Sequence, residues 1–204
     1  MRSIVQNTGS TLRERGSKFY GFLFKCEDEE SFQYELGLIK GKYPDATHHC
    51  WAYRIDPNTI TEFSSDDGEP SGTAGLPILN QLKSFELINT GLVVVRYYGG
   101  TKLGKSGLIQ TYGETARLCI EEAILTQIVP VILFEIHYPY PQENVINKLR
   151  LNYDLIEQDA RYLADVTLTI ACLREFAEAF ESELSKLEHL DITFEKGEHT
   201  FIVK

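Results

Sequence analysis

Apolar residues recur along the chain with two periods. Short aromatic or β-branched runs alternate with stretches whose apolar side chains return every three or four positions, the marks of strands and amphipathic helices. Residues 17–26, SKFYGFLFKC, predict a strand. Phe32, Leu36 and Ile39 then share one helical face, with Asp28 or Ser31 placed to cap the helix and Pro44 to end it after about Lys42. Residues 48–55, HHCWAYRI, alternate as a strand, with His49, Trp51 and Tyr53 on one side and Cys50, Ala52 and Arg54 on the other. Asp56-Pro57-Asn58 signals a turn, and residues 60–64 return as a short strand. A short helix is expected at 76–85, with Pro77 in its first turn. Leu92-Val93-Val94-Val95 is a buried strand, followed by a helix from Leu108 to about Thr126. The first half reads β-α-β-β-α-β-α, with the polar residues 1–16 as a loosely held lead-in.

From Pro130 the pattern restarts. Residues 131–138 predict a strand, and Pro139 and Pro141 introduce a helix reaching about Leu151. Residues 153–158 and 161–172 read as two strands joined by a tight turn at Asp159. A helix from Arg174 to about Leu187 presents Phe176, Phe180 and Leu184. Strand segments on either side of Lys196-Gly197-Glu198 end the chain. That order, β-α-β-β-α-β, is the split βαβ of ferredoxin-like modules. The expectation is a two-domain α+β protein, divided into 1–128 and 129–204 near residues 127–130, with no long linker.

Composition narrows the function classes. The chain has 204 residues, 43% hydrophobic and 25% charged, an ordinary globular balance. No apolar run reaches the ~18 residues that span a bilayer, and the start lacks the apolar centre of a secretory signal, so no membrane partner is expected. Four widely spaced cysteines form no C-x-x-C pair, which fits reduced thiols and a cytoplasmic location. The net charge of -10 is uneven: residues 129–204 hold 7 basic against 14 acidic side chains, and the rest 13 against 16. Such a field disfavours duplex DNA and confines any RNA contact to a local patch.

The candidate patch follows the central strand. Arg96, Tyr97 and Tyr98 end the strand, then Gly99, Gly100, Gly104 and Gly107 alternate with Lys102 and Lys105 before the next helix. A glycine-rich turn between strand and helix lets backbone N–H groups converge on an anion, while the helix start adds partial positive charge. Residues 99–106, GGTKLGKS, also satisfy G-x-x-x-x-G-K-[ST], in which Lys105 and Ser106 would meet phosphate and magnesium. Against nucleotide hydrolysis, this loop does not follow the first strand and no repeated βα units come after it. A second unusual stretch, residues 65–75, carries Asp66, Asp67, Gly68 and Glu69. Asp66 and Asp67 could hold Mg²⁺, or simply serve the turn by accepting backbone N–H bonds. His48 and His49 point to opposite strand faces and cannot easily share an ion. No nucleophile–base pair is identifiable.

Together, SKFYGFLFKC (17–26), HHCWAY (48–53), SDDGEPSGTAGLPIL (65–79) and VVVRYYGGTKLGKSGL (93–108) resemble the YigZ/IMPACT family. The resemblance is strong over about residues 1–128, and the remainder looks like the extra C-terminal domain of the bacterial branch. It implies a first half like the second domain of ribosomal protein S5, and a ferredoxin-like second half similar to the last domain of elongation factor G. In that family the position of Lys105 is commonly Gly and nucleotide hydrolysis is not an established activity, which makes the phosphate-loop match coincidental. Eukaryotic members regulate protein synthesis by binding a ribosome-associated activator of an initiation-factor kinase. Bacteria lack that pathway, so the resemblance implies association with RNA, the ribosome or a translation-associated protein. The expectation is a non-enzymatic binding protein that needs no cofactor. Its contact surface joins the loop Arg96–Ser106 to the turn Asp66–Glu69. Arg96, Lys102 and Lys105 would meet phosphate, with Tyr97 or Tyr98 stacking. The alternatives are an enzyme that binds a nucleotide or a phosphorylated molecule through the same loop, and a protein-interaction adaptor suggested by the acidic second half.

Overall fold

The computed structural model describes residues 1–204 and divides into two compact units, Met1–Gln127 and Ile128–Lys204. The first unit contains β1 (Arg2–Ile4), β2 (Thr8–Glu14), β3 (Ser17–Lys25), α1 (Glu29–Lys42), β4 (His48–Ile55), β5 (Thr61–Ser65), α2 (Gly75–Ser84), β6 (Thr90–Tyr97) and α3 (Gly104–Glu121). Five strands form an antiparallel sheet in the order β2-β3-β6-β4-β5. β6 lies at its centre. Leu92 and Val94 pack on one face with Ile78, Leu82, Tyr112 and Ala116 from α2 and α3. Val93 and Val95 pack on the other with Phe32, Leu36 and Ile39 from α1. Burial on both faces is why this strand is a continuous apolar run and not an alternating one.

Residues 1–16 are not a loose lead-in. Thr8, Ser10 and Leu12 are half-buried while the residues between them face solvent, and β2 pairs with β3 along its whole length. The inward residues are mostly small and polar, and they bond to the carbonyls of α3: Thr8 Oγ1 donates to Cys119 O and Ser10 Oγ to Thr115 O, both at 2.9 Å. The hairpin closes through Arg15 and Gly16, both at positive φ, the two-residue turn that matches strand twist. α1 begins at Asp28 with a reciprocal capping box to Ser31.

A long strand, β7 (Leu125–Tyr138), begins in the first unit, where Leu125–Gln127 pairs with β1. The expected helix therefore ends at Glu121, and the strand starts before Pro130. Proline is tolerated there because Pro130 is paired on one side alone, opposite Phe201, and pairing on its other side starts only at Val131. The second unit continues with α4 (Glu143–Asn152), β8 (Ile156–Tyr162), β9 (Val166–Leu173), α5 (Ala177–Ser185) and β10 (Thr193–Val203). Its strands are antiparallel in the order β10-β7-β9-β8. Phe134, Ile146, Leu168, Ile170 and Phe180 are among the residues of its core. Asp159 is not a turn. It lies inside β8 opposite Thr169, past a register shift at Gln158, and the chain reverses between Tyr162 and Val166. A bulge that shifts register by one residue breaks the alternation and looks like a strand end in the sequence. No helix is long and apolar enough to cross a membrane.

Candidate functional site

The site grows from the end of β6. Arg96 is buried, and its Nη1 donates to Glu69 Oε1 at 2.5 Å. The same oxygen accepts from Tyr112 Oη of α3 at 2.8 Å and lies 3.9 Å from His48 Nε2. His48 Nδ1–H donates to the Asp67 carbonyl at 2.7 Å, which fixes the ring. The Arg96 guanidinium sits between the rings of Phe19 and Tyr98, 5.4 Å from each centroid. Its Nη2 reaches Ser17 Oγ at 3.4 Å, and its Nε, buried, has no partner in the chain.

Glu69 is held in place by the turn before it. Asp66 accepts three backbone N–H bonds, from Gly72 at 2.8 Å and from Ala74 and Gly75 at 2.9 Å. Burial works against ionisation of this carboxyl, but the donors of Gly72, Gly75 and Ala74 outweigh it and hold the group below its ordinary range. Asp67 accepts from the His49 amide at 2.6 Å. Asp67 and Gly68 both take positive φ, which turns the chain so that Glu69 faces inward while the two aspartates serve the loop. No group of three or more His, Cys, Asp or Glu is arranged to hold a metal ion.

Past the strand, Tyr98 N–H donates to Thr47 Oγ1 at 3.0 Å and Gly99 N–H to Ser17 Oγ at 3.1 Å. Gly99 lies against the Gly16 backbone, where an added Cβ would stand 2.0 Å from the Gly16 carbonyl carbon. The Tyr98 hydroxyl donates to Gly100 O at 2.6 Å. Gly104, at φ +74°, opens α3 after Leu103, and no side chain caps the helix. Its first turn holds no acid and includes Lys105 and Ser106, so its N–H groups lack the usual side-chain acceptor.

Glu69, Pro70, Arg96, Tyr98, Lys102, Leu103, Gly104, Lys105 and Leu108 line one cleft of about 420 Å³. The turn at 66–69 and the glycine loop thus meet at Glu69. Ser106 falls in a neighbouring hollow with Leu12, Arg15 and Gln110. Tyr97 opens elsewhere, into a separate cleft with Gly16, Lys18, Tyr20, Tyr43 and Tyr98. Chemically, the first cleft offers two lysines and a helix start, both suited to an anion, beside a buried guanidinium that is paired with Glu69.

Sequence reasoning missed Tyr112, Ser17, Tyr20 and Tyr43. Tyr112 stands among Leu108, Ala116 and Cys119 on the apolar face of α3, so its ring reads as core, and nothing in the spacing marks its hydroxyl as the partner of Glu69. Burial pushes that phenol, and the neighbouring Cys50 thiol, well above their ordinary ranges.

Residues 15–120 match the Impact N-terminal domain. An IMPACT family member of Haemophilus influenzae is 34% identical over 172 residues, covering 83% of this chain and 84% of that protein. The IMPACT family member YvyE of Bacillus subtilis is 31% identical over 190 residues, covering 92% and 87%. A crystal structure of a hypothetical protein shares 27% identity and a TM-score of 0.64, covering 95% of each chain. The matched stretch includes the buried Arg96–Glu69 pair, the turn that holds it and the whole glycine loop. The chain belongs to the IMPACT family.

Proposed function

We propose that this protein is a non-enzymatic, translation-associated factor of the cytoplasm that binds single-stranded RNA through the cleft between Glu69 and Lys105. The observation that carries the reading is the meeting of Lys102 and Lys105 with the uncapped start of α3. The backbone N–H groups of that helix start and the two lysines are there without internal acceptors, and phosphate oxygen supplies what both lack. Glu69 does not cancel the lysines, because its Oε1 is taken up by Arg96 and Tyr112. The translation setting rests on the resemblance to the IMPACT family. The strand orders support the same reading at the level of fold: we take the first unit as like the second domain of ribosomal protein S5 and the second as ferredoxin-like.

The test is binding of a labelled oligouridylate over a series of salt concentrations, comparing the chain with its Lys102→Ala/Lys105→Ala variant. The variant binds more weakly, and its slope of log affinity against log salt flattens by about 0.7 per lysine. An unchanged slope would remove phosphate contact at this cleft.

A further inference from the structure

Four tyrosines meet beside the anion cleft. Tyr20, Tyr43, Tyr97 and Tyr98, with Gly16 and Lys18, line a second hollow of about 360 Å³. Lys18 and Tyr97 are direct cross-strand partners on β3 and β6, so they rise from the same face of the sheet. Tyr43 is the C-cap of α1, so it stands where the helix stops covering that face. The Tyr20 ring stacks on Tyr43 at 5.7 Å with 19° between planes and meets Tyr97 edge-on at 6.2 Å. Lys42 extends over Tyr43, 5.5 Å from its centroid. Tyr98 lines both hollows, so aromatic and cationic clefts share a wall.

We infer that the tyrosine cleft is a nucleobase site, which receives one base of an RNA strand whose adjoining phosphate sits in the Lys102–Lys105 cleft. The inference rests on the proposed RNA reading and deepens it. A nucleotide carries a flat π-faced ring and an anion joined by a short sugar, and the shared Tyr98 wall sets an aromatic floor and a cationic pocket side by side to match. The Lys18 and Lys42 ammonium groups at the rim make the hollow complementary to a polyanion and hostile to a cationic guest. Recognition is by stacking, so all four bases enter, and flat purines bind more tightly than pyrimidines.

The experiment measures anisotropy of a labelled decauridylate and of a decamer with the same phosphates but abasic sugars. The unaltered chain binds the base-bearing strand about tenfold more tightly, with equal salt slopes for the two. Tyr97→Leu and Tyr43→Leu, each kept only where the thermal midpoint shows a folded protein, lower affinity for decauridylate towards the abasic value and leave the abasic affinity unchanged. Equal binding of both strands by the unaltered chain overturns the base site and leaves the phosphate reading standing. Absence of salt-dependent binding to either strand overturns both. An aromatic groove that instead serves a proline-rich peptide would show peptide binding abolished by Tyr43→Leu and no preference for bases, which also overturns the inference.

Discussion

Glu69 and Arg96, 27 positions apart in sequence, form an ion pair whose side chains are 4% and 6% exposed. Tyr112 completes it from α3, so three elements converge on one carboxylate oxygen. Removing one member of a buried pair leaves the other charged and without compensation. Glu69→Ala is expected to lower unfolding stability by about 3–5 kcal/mol, read as the urea midpoint. Tyr112→Phe takes away one hydrogen bond and no charge, and is expected to cost about 1–2 kcal/mol.

Asp66 should behave as an acid-sensitive brace. Its carboxyl is held below the usual range in the folded chain, so its contribution is present above the unfolded value and lost as pH falls through the folded one. Asp66→Asn replaces an acceptor by an amide that must face the N–H groups of Gly72, Ala74 and Gly75. The variant is expected to be about 2–4 kcal/mol less stable at neutral pH. The gap between variant and parent should narrow in acid, below the normal carboxylate range. Urea titrations at neutral and acid pH check both statements.

The thiols should be silent in the native state. All four are buried. Burial pushes Cys119 and Cys172 up to about 11 and Cys26 up to about 12. The reactive thiolate is then scarce as well as shielded. Ellman's reagent at mildly alkaline pH is expected to titrate none of them promptly in buffer, and all four in denaturant. Prompt reaction of one thiol in buffer would show that its element opens easily.

Two glycine substitutions should have opposite signs. Gly99→Ala drives a methyl into the Gly16 backbone, so the hairpin and the loop must separate. A loss of stability of roughly 2–4 kcal/mol is expected, with weakened oligonucleotide binding. Gly37 lies exposed within α1, and a methyl added there would meet nothing within 4 Å. Gly37→Ala is expected to add about 0.5–1 kcal/mol by reducing the freedom of the unfolded chain. Thermal melts of the two variants provide the comparison.

What the sequence disclosed depended on which force shaped each element. β4 runs over the expected residues, and α1 starts at Asp28, because alternation and capping are local signals. β2 escaped notice because two of its three inward residues, Thr8 and Ser10, are held by hydrogen bonds to α3 and not by apolar burial. α3 begins at Gly104, before the expected Leu108, since a glycine–lysine start carries no cap or apolar period. In the site, the glycine loop was visible as composition. The role of Asp66 as a backbone clamp lay within the alternatives that its residue type allows. The partnership of Glu69 with Arg96 and Tyr112 was hidden, because it is set by tertiary approach over 27 and 43 positions.

The placement of β6 has a consequence for biosynthesis. The β2–β3 ribbon is complete once Lys25 has left the ribosome, and the β4–β5 ribbon once Ser65 has. Neither can join the other until Tyr97 emerges, because the strand that separates them is translated last of the five. At translation speeds of ~5–20 residues per second, the first ribbon waits several seconds with one edge open. Phe19, Phe22 and Phe24 lack their β6 partners for that interval, and the open edge can pair with other strands until Tyr97 emerges.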